Sequence, residues 1–230
     1  MIYVTGDTHG MPARLAAENL PFAKEWGEDD YLIVCGDFGY LYAGTTREEL
    51  VLRDLSFRPY NILFLDGNHE NFDMLAQYPV TQWRGGKVQR IRRNVIHLMR
   101  RQVYNIGGQK LFTMGGGYSI DRFRRHEGSS WWPQEMPSAE EYQEARRNLV
   151  DAGMQVDYVL SHAAPQQAMN LYFSDNTGER PLNEVLEWVR ENVRFNKWYF
   201  AHLHMDDELV NGLYAIFMSV RELTTGRVVG

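Results

Sequence analysis

Asp7 and His9 stand two positions apart in "GDTHG" (6–10), directly behind the short apolar run "MIYV". The same plan recurs at Asp37 in "CGDFGY", Asn68 and His69 in "LDGNHEN", His162 in "LSHAAP", and His202 and His204 in "FAHLHMDD". Each group follows an apolar, strand-like run. Imidazole nitrogen, carboxylate and amide oxygen together suit borderline or harder divalent ions such as Zn²⁺, Mn²⁺ or Fe²⁺. With His69 set aside, the set holds two Asp, one Asn and four His. That exceeds the needs of one tetrahedral site and suits two ions sharing a bridging carboxylate. Taken singly, each motif is weak: an Asp-x-His is more often a capped loop, "GNHE" can be a plain turn, and a His-x-His pair on a strand only puts both rings on one face. Their conjunction at five strand ends is hard to obtain from packing alone.

The elements that must carry these residues follow from the periodicity. "IYVT" (2–5) leads to an expected helix over 12–25, "YLIVC" (31–35) to one over 46–56, and "NILFL" (61–65) to a short one over 71–77. This alternation is the signature of βαβ units feeding a parallel sheet. In such sheets ligands collect beyond the carboxyl ends of the strands. Between 88 and 116, "VQRI", "VIHLM", "QVYNI" and "KLFTMGG" read as short strands of a meander or second sheet. A helix is predicted over 138–151, opened by a capping box of Ser138 and Glu141. "DYVLSH" (157–162), a helix near 181–193 with Pro181 at its start, and "KWYFAH" (197–202) follow. Asn-Gly within "LVNGLYAIF" signals a hairpin.

The whole chain of 230 residues is expected to form one α/β domain, as two facing mixed sheets with helices outside. A hydrophobic content of 44% argues against disorder, and a net charge of −6 against general nucleic-acid binding. One cysteine, Cys35, excludes an internal disulfide, and its apolar setting reads as a buried small residue. There is no basic n-region with an apolar stretch behind it, and no apolar run approaches the roughly 18 residues of a membrane span. No membrane association and a cytoplasmic location are the expectations.

The ordered set D-x-H, G-D, G-N-H-[DE], H and H-x-H, running from residue 6 to 204, resembles the calcineurin-like metallophosphoesterase superfamily. That resemblance implies a four-layer α-β-β-α sandwich with a dinuclear centre at the sheet edges. It implies that Asp7, His9 and His204 hold one divalent ion and that Asn68, His162 and His202 hold the other, with Asp37 bridging the two (Mn, Fe or Zn). It also makes His69 the general acid for the leaving group; the bland alternative is a histidine that steadies substrate phosphate. Every ligand position is filled, which favours an enzyme over a scaffold that has lost its chemistry.

The Ser/Thr protein phosphatases have G-D-x-V-D-R-G as their middle motif, and here it reads "GDFGYLY". Tyr40 and Leu41 replace the acid that orients the histidine and the phosphate-binding arginine. Protein phosphatase activity is therefore not expected, and Tyr40 or Glu70 becomes the candidate partner of His69. Compensating charge is available in "RGGKVQRIRRNVIHLMRR" (84–101), with seven Lys/Arg and no acid, and in a flap-like insertion over about 117–137 carrying Arg122, Arg124, Arg125, Trp131 and Trp132. An arginine clamp with aromatic faces suits a small phosphorylated substrate or nucleotide. A solvated strand face and a packing flap are the bland alternatives for these segments. If the basic strands track a backbone, the alternative function is a nuclease acting on DNA or RNA.

Overall fold

The computed structural model describes residues 1–172, 178–209 and 212–230. Strands β1 (Ile2–Thr5), β2 (Tyr31–Val34) and β3 (Asn61–Phe64) pair in parallel, with Ile2 opposite Tyr31 and Tyr31 opposite Asn61. Strand β6 (Val95–Leu98) continues this sheet in parallel, and β5 (Gly86–Arg90) and β4 (Val80–Trp83) extend it antiparallel. The far edge is closed by β13 (Arg221–Glu222) against β1. In the second sheet β8 (Gln109–Met114), β9 (Tyr158–Ser161), β10 (Lys197–Phe200) and β12 (Leu213–Ala215) run in parallel. It ends on β7 (Val103–Ile106) at one edge and β11 (Asp207–Glu208) at the other.

Alternation along the strands sorts side chains between layers. Ile33 and Cys35 point between the sheets, where they meet Leu63, Leu160 and Tyr199. Leu32 and Val34 point outward, against Leu52 and Leu55 of helix α1 (Thr46–Ser56). On the other flank Phe112, Val159 and Trp198 pack under α3 (Ala139–Asp151), α4 (Gln166–Tyr172) and α5 (Arg180–Asn192), through Leu149, Met169 and Leu186. Helix α2 (Phe72–Leu75) is a single turn behind β3. The result is the expected α-β-β-α sandwich of mixed sheets. Capping boxes open α1 (Thr45 with Glu48) and α3 (Ser138 with Glu141).

Two expectations are corrected. Residues 12–25 form three 3-10 turns, Pro12–Leu15, Ala17–Asn19 and Pro21–Ala23, and not one helix. Pro21 lacks the N–H a helix would use, and it pushes Leu20 out of the helical region, to φ −118° and ψ 55°. Burial of Leu15, Leu20 and Trp26, the last stacked on Tyr3 at 4.2 Å, holds the segment down. The strands over 88–116 do not form a sheet of their own: β5 and β6 join the first sheet, and β7 and β8 the second. In the tail, β11 and β12 pair antiparallel as a hairpin, although its first strand is Asp207–Glu208 and not the apolar "LV". Val210 and Asn211, the latter part of the Asn-Gly signal, lie outside the described residues. Among the described residues no helix is long and apolar enough to cross a membrane.

Candidate metal centre

The carboxyl ends of β1, β2, β3, β9 and β10 meet at one rim, which brings Asp7, Asp37, Asn68, His162 and His202 together. The backbone there is bent against its preferences. Four of the seven non-glycine residues with positive φ among the described residues are His9 (46°), Asp37 (49°), His202 (66°) and His204 (51°). Each costs about 1–2 kcal/mol, and such strain persists only where surrounding structure enforces it. Gly67 lets the chain pass this point, since a Cβ there would collide with the Asp37 carboxylate.

Asp7, His9, Asp37 and His204 offer ligand atoms that all lie within 4.8 Å of one another. His9 Nε2 and His204 Nε2 are 2.9 Å apart, and His204 Nε2 is 3.7 Å from Asp7 Oδ1. Asp7 is buried, and while its Oδ2 accepts the His202 N–H at 3.1 Å, its Oδ1 has no hydrogen-bond partner. Burial and the nearby Asp37 charge push its carboxyl well above the ordinary range. An orphaned buried carboxylate oxygen beside two converging imidazole nitrogens is a donor set that a divalent cation fits.

A second group lies across Asp37. His162 Nδ1–H donates to the Cys35 carbonyl at 2.9 Å, which leaves Nε2 facing Asn68 Oδ1 at 3.1 Å and Asp37 Oδ1 at 3.5 Å. Burial depresses His162 to about 4, against the pull of Asp37. The His202 ring centroid lies 4.8 Å from that of His162. Burial would lower His202, but the Glu179 carboxylate at 2.9 Å raises it to about 9; Glu179, despite its own burial, is held at about 2 by that histidine. A Cβ at Gly117 would sit 3.1–3.4 Å from His162, Asn68 and His202, so the absence of a side chain there leaves the cradle open. Asp37 stands between the groups. Its Oδ1 accepts the His69 N–H at 2.7 Å, and its Oδ2 lies 3.8 Å from His9 Nδ1. Glu179 escapes sequence reading because no local motif marks it.

His69 meets neither proposed acid. The Tyr40 hydroxyl donates to the Met11 carbonyl at 2.6 Å, and Glu70 accepts the Phe38 N–H at 2.7 Å. Its partner is Arg125, whose Nη1 and Nη2 lie 3.0 and 3.3 Å from the two ring nitrogens. Burial lowers the His69 pKa, with Arg125 and His9 acting in the same direction against Asp37. The other two arginines turn to aromatic rings: Arg122 to Tyr118 and Trp131 at 4.5 and 5.7 Å, Arg124 to Phe123 at 5.1 Å. Trp132 is buried and donates to Asp73 at 2.8 Å. A cleft of about 780 Å³ opens from His9 and His69 past Tyr42 and Val51 to Arg47, with Arg125 on its flap side. Much of the basic run over 84–101 is spent on acids from other elements. Lys87 meets Glu144 at 2.8 Å, Arg101 the same carboxylate at 2.5 Å, Arg92 meets Glu49 at 2.6 Å, and Arg100 pairs with Asp66. That leaves little of it as a free track for a nucleic-acid backbone.

Two facing mixed sheets with an Asp/His cluster at their strand ends define the class, an α/β sandwich built around a prospective metal centre. The sequence pattern of the calcineurin-like phosphoesterases matches residues 1–206, and the chain belongs to that family. Among solved structures it is similar to a Staphylococcus aureus protein described as a 5'-nucleotidase, in complex with alpha-ketoglutarate, at 16% identity and a TM-score of 0.50. That match covers 95% of this chain and 49% of the other, so the chain spans about half the length of that relative. It is also similar to the Thermus thermophilus sulfate thiohydrolase SoxB in complex with glycerol, at 15% identity and a TM-score of 0.44, over 98% of this chain and 42% of that one. No curated protein matches the sequence.

Proposed function

We propose that the chain is a phosphoesterase with a dinuclear metal centre, hydrolysing a small phosphorylated molecule or nucleotide. The observation that carries this reading is the orphaned Asp7 Oδ1 in a cluster with His9, Asp37 and His204. On this reading Asp7, His9 and His204 hold one ion, Asn68, His162 and His202 the other, and Asp37 bridges them. A pair of Mn²⁺, Fe²⁺ or Zn²⁺ ions would supply acidified water and neutralise phosphoryl charge. The chain's residues do the rest. Arg125 lies at the mouth of the cleft, held by Asp121, and a bound phosphoryl group takes over the N–H donors it now turns to the His69 ring. His69, beside it, holds the proton that the leaving alkoxide needs. The cleft beyond them, with apolar walls at Met11, Pro12 and Val51 and the ring of Tyr42, receives an organic leaving group.

The test is to load metal-free protein with Mn²⁺ and compare hydrolysis of a generic phosphomonoester, a phosphodiester and a cyclic nucleotide. Turnover of at least one, abolished by chelation and restored by metal, is expected. Protein that binds no divalent ion and cleaves none of the three would overturn the reading.

A further inference from the structure

Residues 117–137 reach beneath the cleft as well as across it. Asn68 is buried, and its Nδ2 donates to Ser119 Oγ at 3.1 Å. Ser119 Oγ in turn donates to Glu135 Oε2 at 2.6 Å, and the Ser119 N–H to Glu135 Oε1 at 3.0 Å. Ser119 and Glu135 are each only 1% exposed. The Glu135 carbonyl accepts the Gly117 N–H at 3.1 Å, which ties this relay to the glycine that leaves the cradle open.

The sense of the relay matters because a carboxylate only accepts. Glu135 accepts the hydrogen bond of the Ser119 hydroxyl, so toward Asn68 the hydroxyl oxygen can only accept. The two ends of a carboxamide are nearly the same shape and opposite in hydrogen-bonding sense, and only the oxygen can hold a cation. With Nδ2 committed to Ser119, Oδ1 is turned toward His162 and the cradle. We propose that Ser119 and Glu135 are positioning residues which fix the Asn68 amide so that its oxygen faces the second metal position. The inference rests on the dinuclear reading above and deepens it, since the flap proposed to clamp substrate also supports the metal. Outer partners of this kind typically alter metal affinity by about 10–100-fold.

Glu135→Gln tests this with almost no change of shape. The new amide oxygen accepts the Ser119 N–H and its NH₂ donates to the hydroxyl, whose own proton is then released to Asn68, so that the oxygen end of the amide can turn to Ser119 and Nδ2 toward the metal. Titration of metal-free protein with Mn²⁺, followed by calorimetry and by the spin-coupled signal of the ion pair, reads the second equivalent directly. Wild type should take up two equivalents. In Glu135→Gln the second should weaken by about 10–100-fold, with the first unchanged. Ser119→Ala, which leaves the amide undirected, should weaken the same equivalent. In an Asn68→Asp background both ends are oxygen, so Glu135→Gln should cause no further loss. Wild-type affinity in both single variants would overturn the relay, and so would a Glu135→Gln loss that persists undiminished in the Asn68→Asp background, since that marks packing alone. Wild-type protein with no second equivalent would remove the dinuclear reading itself, and the relay with it.

Discussion

Arg125→Lys separates a phosphate clamp from a surface charge. The guanidinium spreads its two terminal nitrogens, one at 3.0 Å and the other at 3.3 Å from the His69 ring, and the second also meets Asp121 at 2.8 Å. This places a planar fork at the mouth of the cleft, suited to two oxygens of one phosphoryl group. Lysine keeps the charge and loses the fork. A hydrogen bond to a charged group contributes about 1.5–3 kcal/mol. In an open cleft, with the charge retained, a loss near 2 kcal/mol at most is expected, or about 10–30-fold in KM. Little folding stability is at risk: Asp121 is half exposed, and such a pair contributes under about 1 kcal/mol. The assay is initial rate against concentration of the best-cleaved ester, with metal content and Tm measured on the same preparations. Arg122→Lys and Arg124→Lys serve as comparators, because their side chains lie on Tyr118, Trp131 and Phe123. A wild-type KM for Arg125→Lys, or equal losses in all three variants, would refute the assignment of Arg125 as the clamp.

Asp37→Asn should abolish hydrolysis and lower metal stoichiometry toward one per chain; a variant that still binds two ions and turns over normally would rule out a bridging carboxylate. His69→Ala should keep both ions and slow esters of poor leaving groups by about 10²–10⁴-fold, while an activated aryl phosphate suffers much less. Equal losses on both would show that His69 is not the acid. Burial pushes Glu144 up, but Lys87 and Arg101 hold it down at about 2, below its ordinary 4.5. Its contribution to stability is therefore present above about pH 4.5 and lost as pH falls through 2. Glu144→Gln should cost about 1–2 kcal/mol at pH 7, after discounting for partial exposure, and only a small part of that as pH approaches 2. Denaturant melts at pH 7, 4 and 2.5 check this, and a pH-independent difference would count against it.

The residues that gather at the rim were legible in the sequence because each sits within a few residues of the strand that delivers it. Asp7 ends β1 and His162 ends β9, so local pattern and topology together predict one rim. The sandwich was legible for the same reason, through apolar runs alternating with capped helices such as α1 and α3. The helix expected over 12–25 was not secure, because Pro12 and Pro21 punctuate an apolar stretch whose burial, not its periodicity, sets its path. What lies far apart in the chain only the tertiary structure decided. Lys87 and Glu144 are 57 residues apart, and their pairing, with those of Arg92, Arg100 and Arg101, turned much of an acid-free basic run into buttressing for other elements. Arg122, Arg124 and Arg125 are equivalent on paper, yet the turn at Arg122–Arg124 sends only the third to His69. The 51-residue step from Asn68 to Ser119 likewise has no local signal. Strand-end chemistry is written in short spacings, whereas the direction of a hydrogen bond depends on which distant partner the folded chain brings within 3 Å.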